Sequence, residues 1–235
     1  MNILTKAAAE GRTALSEYES KQVLSAYQIP VTRECLVYDE KELISAAQKI
    51  SCPLVLKGCD PEIAHKTEKG LIKADIRNEG EAIAAFKEIQ ESMSGVNRAV
   101  IVQEMIIGKR ELVAGMVRDS QFGPSVMFGI GGIFTEIFND VIFRIAPLDK
   151  QDALEMMHEI RGHGILSNIR GMMAADLEQL SNILIRIGQI GIENEMVKEI
   201  DINPIIISKG RGVAVDAMIV LETPNKSKGN NGKHS

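Results

Sequence analysis

Oxygen-bearing side chains are concentrated near the end of the sequence, in "EIDINP" and in the apolar run "VAVDAMIV". Asp201 and Asn203 are two residues apart, so on a strand their side chains lie on the same face. Asp216 stands within the apolar run, where a carboxylate is costly unless it is paired or bound to a metal. Oxygen ligands from Asp and Asn, with room for phosphate oxygens, suit Mg²⁺. The pattern therefore predicts either a magnesium site or a salt-bridged core aspartate.

A lysine and two glutamates stand at the ends of other apolar runs. Lys57 stands near the end of "LVLKG", and a lysine at the end of a buried strand can direct its ammonium at phosphates or simply reach solvent. In "VQEMIIGKRELVAGMV", Glu104 ends one predicted strand and Glu111 begins the next. Such carboxylates can accept hydrogen bonds from an amino group and from sugar hydroxyls, and the backbone between them can read an adenine edge. The alternative is a polar hairpin with solvated ends.

His65 lies in "DPEIAHKTEKG", a polar segment with almost nothing to bury, and therefore in a predicted loop. A loop histidine is either an ordinary surface residue or a group that carries chemistry, and His163 in "RGHGIL" competes for the second role. The glycines of "FGIGGIFTE" could let a backbone approach phosphate closely. Because this segment lacks P-loop spacing, it predicts a bend between strands instead.

Helix and strand patterns alternate around these residues. Residues 16–98 read as helix, strand, helix, strand, loop, strand and helix. The second half reads as a series of strands with a helix near 149–160 and a longer amphipathic helix that begins near Asp176. This order predicts an α+β fold of two subdomains, residues 1–98 and 99–222, with a cleft between them. The nearly apolar-free tail, residues 223–235, is predicted to be disordered.

Composition narrows the class of protein. Over 235 residues the net charge is −5, so no Lys/Arg excess points to nucleic acid as a partner. No apolar run approaches the roughly 20 residues of a membrane helix, and the first residues lack a secretory apolar core. We therefore expect a cytoplasmic protein without a membrane partner. The 3 cysteines lack C-x-x-C spacing, which argues against a disulfide framework or a zinc site.

The motifs, taken in order, resemble the ATP-grasp subunit of ADP-forming acyl-CoA synthetases, a family that includes acetate–CoA ligase (ADP-forming). The resemblance is carried by "AAAEGRTALSEYESKQVLSAYQIPV", "DPEIAHKTEKG", "GKREL", "GPSVMFGIGGIFTE", "FRIAPLD", "INP" and "AVDAMI". It covers about residues 5–222. It implies an ATP-grasp fold with the nucleotide cleft between its subdomains, and the reaction acyl-CoA + ADP + phosphate ⇌ carboxylate + CoA + ATP.

The resemblance also assigns nucleotide contacts to numbered residues. Lys57 matches the position that contacts nucleotide phosphates, and Arg144 in "FRIAPLD" is a further expected phosphate contact. Glu104 and the backbone at Met105 match the positions that face adenine, and Glu111 matches the position that faces the ribose. ATP or ADP is therefore the expected ligand of this cleft.

The metal and the phosphoryl relay follow from the same resemblance. Asn203 and Asp216 match the Mg²⁺ ligands, with Asp201 assisting. His65 matches a loop histidine that relays a phosphoryl group between the cleft and a histidine of a partner subunit. The implied partner is a CoA-binding α subunit with the acyl-CoA site and its own phosphohistidine, in an expected α2β2 assembly.

Two other functions fit the same cleft. A carboxylate–amine ligase would work through an acyl-phosphate and would not need His65. A non-catalytic subunit could bind nucleotide only to regulate a partner, although sensing does not need the metal ligands. Phosphorylation of the loop histidine in the presence of a partner separates the three hypotheses.

Overall fold

Two antiparallel sheets organise the part of the chain that the structure, a computed structural model, describes: residues 2–59, 70–93, 98–132, 140–169 and 171–222. The helices are α1 (Ile3–Ala9), α2 (Glu17–Ala26), α3 (Glu40–Ile50), α4 (Glu79–Ser92), α5 (Lys150–Glu159) and α6 (Leu177–Glu193), with a 3₁₀ turn at His163–Leu166. The strands are β1 (Glu34–Val37), β2 (Leu54–Cys59), β3 (Ile72–Ile76), β4 (Ala99–Glu104), β5 (Arg110–Asp119), β6 (Gly123–Ile130), β7 (Val141–Ile145), β8 (Val197–Ser208), β9 (Arg211–Ala214) and β10 (Ala217–Leu221).

The smaller sheet has the strand order β1-β4-β2-β3, and α3 and α4 cover its outer face. Both helices begin as their sequences predict. Asp39 and Asn78 are their N-caps, each accepting a hydrogen bond from the backbone N–H three residues on, and glutamates follow in the first turn. Leu54 and Leu56 of β2 pack in the core beneath these helices. The strand residues that alternate with these leucines point to the opposite face of the smaller sheet, toward α2.

The larger sheet has the order β10-β8-β5-β6-β7, with β9 pairing the second part of β8. One face is buried under α5 and α6. The amphipathic α6 begins after its N-cap Asp176, as the sequence predicts, and buries leucines and isoleucines against β5 and β6. Alternate residues of each strand therefore point to the opposite face of this sheet, which these helices do not cover.

The boundary between the two units differs from the predicted one at residue 98. Strand β4 begins just after that point, but it pairs with β1 and β2 in the smaller sheet. The leading helices α1 and α2 pack in the core of the larger sheet, through residues such as Leu4 and Leu24. Periodicity identifies a strand or a helix, but it does not say which sheet will pair with it.

The run "GVAVDAMIV" forms two strands rather than the one strand predicted. Strand β9 pairs with residues 205–208 and β10 with residues 197–202, so Asp216 lies at the junction between them. On the facing strand, Asn203 and Pro204 stand where the pairing of β8 with β5 shifts register. Proline removes a ladder donor and is accommodated at such irregularities. Asp216 is therefore placed at a break in the sheet instead of inside an apolar strand.

Two sequence predictions lie outside the described residues. They are the loop that carries His65 and the tail of residues 223–235. Among the described residues, no helix is both long and apolar enough to cross a membrane.

Glu19 should make α2 sensitive to acid. It completes a capping box with Ser16 and accepts two hydrogen bonds from Arg12, each 2.8 Å long. Burial alone would raise the pKa of Glu19, but Arg12 and Ser16 outweigh it and lower the pKa from 4.5 to about 2. A lowered pKa contributes stability that is present above about pH 4.5 and is lost as the pH falls through about 2.

We therefore expect Glu19→Gln to lower the free energy of unfolding by about 1 kcal/mol at pH 7. The difference from the wild type should shrink as the pH falls from 4.5 toward 2. Urea unfolding at a series of pH values measures it, with Glu91→Gln on the exposed side of α4 as the control. A difference that stays constant with pH would show that the Glu19 charge does not contribute.

Candidate functional site

Lys57 stands at the centre of the contact between the two units. The sequence predicts it at a strand end, but β2 continues through it to Cys59, and its side chain is only 5% exposed. Its Nζ donates to Glu17 Oε1 at 2.7 Å, to the Val215 carbonyl at 3.1 Å and to Asp216 Oδ2 at 3.4 Å. A cation of the smaller sheet is thus held against α2 and the β9–β10 junction.

A second buried lysine shares these partners. Lys21 Nζ donates to Glu17 Oε1 at 2.9 Å and to Gln103 Oε1 at 2.7 Å, and it forms an ion pair with Glu34. We call Glu17, Lys21, Glu34, Lys57 and Gln103 the buried charge cluster. Opposite charges alternate in it, which is the condition under which buried charges can be tolerated.

The electrostatics of the buried charge cluster keep Lys57 cationic. Burial alone would lower the pKa of the Lys57 ammonium, but the carboxylates of Glu17 and Asp216 outweigh it and raise the pKa. Glu34 shows the opposite balance, because burial raises the pKa of its carboxyl despite the attraction of Lys21. The site therefore presents a fixed positive charge at the cleft.

Asp201 and Asn203 of β8 lie next to Asp216, which stands at the β9–β10 junction on the paired strands. Asp201 and Asn203 alternate with buried isoleucines on β8, so both point to the face that α5 and α6 do not cover. Strand β10 pairs Ala217 with Ile202, which places Asp216 opposite Asn203. Of these three side chains, Lys57 contacts Asp216.

This donor set fits a divalent cation. Burial raises the pKa of Asp201, and the charges of Glu199 and Asp216 raise it further, so the carboxylates repel one another. A bound dication would relieve that repulsion, and oxygen ligands suit Mg²⁺. Within the described residues, no group of three or more His, Cys, Asp or Glu side chains could hold a metal by itself. Two carboxylates and one amide leave the other positions to phosphate oxygens and water.

The predicted adenine contacts have other partners in the structure. The Glu104 carboxylate accepts hydrogen bonds from the backbone N–H and the Nε of Arg33, both at 2.8 Å. The Met105 N–H donates to the Pro53 carbonyl at 3.1 Å. The Arg33 side chain is 67% exposed and that of Glu104 is 21% exposed, so a ligand could displace the arginine from the less accessible glutamate. Recognition of a base by Glu104 and Met105 remains a prediction.

Glu111 occupies the second position of β5, next to the buried Leu112, on the face that α5 and α6 do not cover. Gly132, with φ of +70°, lies beside it, and a Cβ there would stand 2.9 Å from Glu111 Oε2. The glycine segment therefore packs on the start of β5, where the sequence predicts only a bend. The ribose contact of Glu111 remains a prediction.

Arg144 is not brought together with the other predicted residues. It lies on β7, and its guanidinium donates to Glu159 Oε1 of α5 at 2.7 Å. That contact directs it toward the helix-covered face of the larger sheet, away from Asp201 and Asn203. A single FRIAPLD motif could not show this orientation, because the facing helix comes from a later segment.

Sequence reasoning missed the part of the site contributed by α2. Glu17 and Lys21 are buried, although both are charged. A signal was present, because positions 17, 21 and 24 follow helical i, i+4, i+7 spacing and Leu24 is a core residue. Charged residues on the core-facing stripe of a helix predict a buried polar partner.

A buried, cationic lysine faces the Asp216 carboxylate at the contact of two α+β units, an arrangement that agrees with the ATP-grasp fold. The ATP-grasp domain family matches residues 6–221. The beta subunit of acetate–CoA ligase (ADP-forming) I from Pyrococcus furiosus is 42% identical over 224 residues, covering 93% of this chain and 96% of the relative. The chain belongs to the ATP-grasp family, in the group that includes this beta subunit.

Solved structures agree with this assignment. Acetyl-coenzyme A synthetase 1 of Ca. Korarchaeum cryptofilum, in complex with coenzyme A, Ca-AMPCP and HgCl⁺, has a TM-score of 0.90 and 41% identity, covering 94% of this chain and 98% of the other. A second structure of that protein contains coenzyme A and Mg-AMPPCP, with a phosphohistidine segment pointing towards the nucleotide binding site; its TM-score is 0.83 at 41% identity over the same shares of both chains.

Proposed function

We propose that this chain is the nucleotide-binding subunit of an ADP-forming acyl-CoA synthetase, an acid–thiol ligase that interconverts acyl-CoA, ADP and phosphate with carboxylate, CoA and ATP. One observation carries the proposal. The buried Lys57 ammonium lies 3.4 Å from Asp216, which stands opposite Asn203 on the paired strand β8, at the contact of the two units. A cation beside oxygen ligands for Mg²⁺ is what binding of a nucleotide's phosphates requires.

Each residue of the cleft has a defined task in the proposed reaction. Lys57 binds the phosphates of ADP or ATP and neutralises charge as the phosphoryl group moves. Asn203 and Asp216, assisted by Asp201, hold Mg²⁺, which supplies further charge neutralisation when bound. Glu104 and Met105 are proposed to bind the base. Glu111, at the start of β5 near Gly132, is proposed to bind the ribose.

His65 and a partner subunit complete the proposal. His65 carries the phosphoryl group between Mg-ADP and a phosphohistidine of the partner, and the carboxylate–amine ligase hypothesis does not need it. The partner binds CoA and the acyl group, and two copies of each subunit form the assembly. The proposed location is the cytoplasm, where the nucleotide and CoA substrates are found.

Reconstitution with a CoA-binding subunit from the same organism tests this function. The mixture should form ATP from acetyl-CoA, ADP and phosphate, whereas this chain alone should not. Intact-mass analysis should show a phosphorylated histidine on this chain only when the partner is present. Strong synthetase activity without a partner would refute the subunit assignment. ATP hydrolysis driven by a carboxylate and an amine would favour the ligase alternative, and nucleotide binding without turnover would favour a regulatory subunit.

Asp216→Asn should weaken the use of Mg-nucleotide while the fold is kept, because asparagine preserves the volume but not the charge. The Mg²⁺ concentration for half-maximal ADP binding should rise by at least about tenfold, which is the scale on which even outer-shell partners affect metal affinity. Calorimetric titration at several Mg²⁺ concentrations measures it. Asp176→Asn is the matched control: it makes the same substitution at the N-cap of α6, where aspartate and asparagine cap a helix about equally well. An unchanged Mg²⁺ requirement would remove Asp216 from the metal site.

A further inference from the structure

Lys57 has two carboxylate partners that differ in how firmly they are held. Glu17 Oε1 lies 2.7 Å from the ammonium, and the Glu17 side chain is 1% exposed. Asp216 Oδ2 lies 3.4 Å away, and its side chain is 34% exposed. Charge-assisted hydrogen bonds are strongest when they are short and removed from water. The structure thus pairs Lys57 with one tightly held carboxylate and one that a ligand can reach.

We propose that Glu17 is a positioning residue that keeps the Lys57 ammonium at the cleft, while Asp216 is the partner that Lys57 releases when Mg-nucleotide binds. This inference rests on the proposed function. When Mg-nucleotide binds, Lys57 turns to the nucleotide phosphates and Asp216 turns to the metal, while Glu17 stays bound to Lys57.

Glu17 is anchored to the same unit that supplies the metal ligands. It begins α2, where Ser20 Oγ accepts a hydrogen bond from the Ile219 N–H of β10 at 3.1 Å. Just before α2, the Leu15 N–H donates to the Ile219 carbonyl at 2.9 Å. The carboxylate is therefore fixed relative to the β9–β10 junction. The Glu17 carboxylate thereby holds Lys57, which belongs to the smaller sheet, at a set position next to the larger sheet.

Lys21 lowers the electrostatic cost of burying the Glu17 carboxylate beside Lys57. Its Nζ lies 2.9 Å from Glu17 Oε1, the same atom that accepts from Lys57. A buried carboxylate placed between two ammonium groups is paired on both sides, which is the condition under which buried charges can be tolerated. When Asp216 departs, Lys57 still has a counterion, so its charge is not left buried and unpaired.

Loss of the Glu17 charge should damage nucleotide binding through Lys57 and Asp216. Once the Glu17 charge is removed, Asp216 is the remaining carboxylate in contact with Lys57 among the described residues. That pair then has to be broken before either member can bind Mg-nucleotide. Glu17→Gln should therefore bind Mg-ADP more weakly, and added Mg²⁺ should partly restore the affinity by competing for Asp216.

Titration calorimetry on the full chain tests the proposal with Mg-ADP, using adenosine as the phosphate-free probe. We expect Glu17→Gln to weaken Mg-ADP binding about tenfold, on the scale of coupling between residues in contact. Adenosine binding should stay within about twofold, as for uncoupled sites. Glu34→Gln is the matched control, because it removes a carboxylate from the same cluster, and its partners among the described residues are Lys21 and Thr32.

A double-mutant cycle shows whether Glu17 acts through Lys57. The effect of Glu17→Gln should disappear in a Lys57→Met background, where there is no ammonium left to position. Equal weakening in both backgrounds, or a Glu34→Gln loss as large as that of Glu17→Gln, would overturn the inference. Wild-type chain that fails to bind Mg-ADP at all would instead contradict the proposed function.

A crystal structure of the wild-type chain with Mg-ADP provides a second test, which holds even where Glu17→Gln does not fold. The Lys57 Nζ should remain in hydrogen-bond contact with Glu17 and lie away from Asp216. A complex in which Lys57 leaves Glu17 and keeps Asp216 would refute the positioning role.

Discussion

His65→Ala should abolish ATP formation from acyl-CoA in the assembled enzyme. Imidazole accepts a phosphoryl group when it is neutral, and with an unperturbed pKa of about 6.5 histidine is mostly neutral at cytoplasmic pH. Alanine cannot carry phosphate, and neither can asparagine or glutamine. We expect a loss of at least about a thousandfold in turnover, since removal of a group that forms a covalent intermediate has effects of this size or larger. Coupled assay of ATP measures it.

The same variant should keep the half-reactions that do not pass through His65. Phosphorylation of the partner's histidine by acyl-CoA and phosphate should survive, and so should binding of Mg-ADP by Lys57 and Asp216. The free energy of unfolding should change by no more than about 0.5 kcal/mol, as for an ordinary surface substitution. His163→Ala, in the exposed 3₁₀ turn, is the control histidine. Near-normal turnover of His65→Ala would contradict the proposed phosphoryl relay.

Local signals in the sequence account for most of the elements. Acidic N-caps and first turns give the starts of α3 and α6, and apolar runs give β2 and β8. The grouping of elements could not be predicted in the same way. Strand β4 follows α4 directly but inserts between β1 and β2, because its Val100 and Val102 complete the core under α3 and α4. Such pairing depends on contacts between distant segments, which periodicity does not contain.

In the candidate site, too, single residues could be predicted from local sequence, whereas their contacts with distant segments could not. Asp216 was predictable because a carboxylate in an apolar run needs a partner, and the structure supplies Lys57. Glu104 also stands at the predicted strand end, but its ion pair with Arg33 depends on how β1 approaches β4. The buried charge cluster is assembled from α2, β1, β2 and β4. No single stretch of sequence brings these charges together, so only the structure reveals Glu17 as a counterion of Lys57.

Lys57→Met should weaken phosphate-dependent nucleotide binding strongly but leave it measurable. Methionine fills the buried space of the aliphatic chain but has no charge, so one charge-assisted contact to the phosphates is lost. Such a contact contributes about 1.5–3 kcal/mol, which corresponds to a roughly 10–100-fold weaker affinity for Mg-ADP. Adenosine lacks the phosphates and should bind as tightly as before. Calorimetric titration of both ligands measures the difference, and synthetase activity of the assembled enzyme should fall with Mg-ADP affinity.

The stability of Lys57→Met distinguishes loss of a ligand contact from loss of the fold. Removal of one member of a buried ion pair can cost about 3–5 kcal/mol when the other charge is left uncompensated. Here Lys21 still contacts Glu17, and Asp216 is partly accessible to water, so we expect a smaller cost. Lys73→Met, on the neighbouring strand β3, removes an exposed lysine that pairs with Glu88 of α4 and should change neither stability nor ADP binding. Unaltered ADP affinity in folded Lys57→Met would mean that the ammonium is a structural counterion of Glu17 and does not bind the nucleotide.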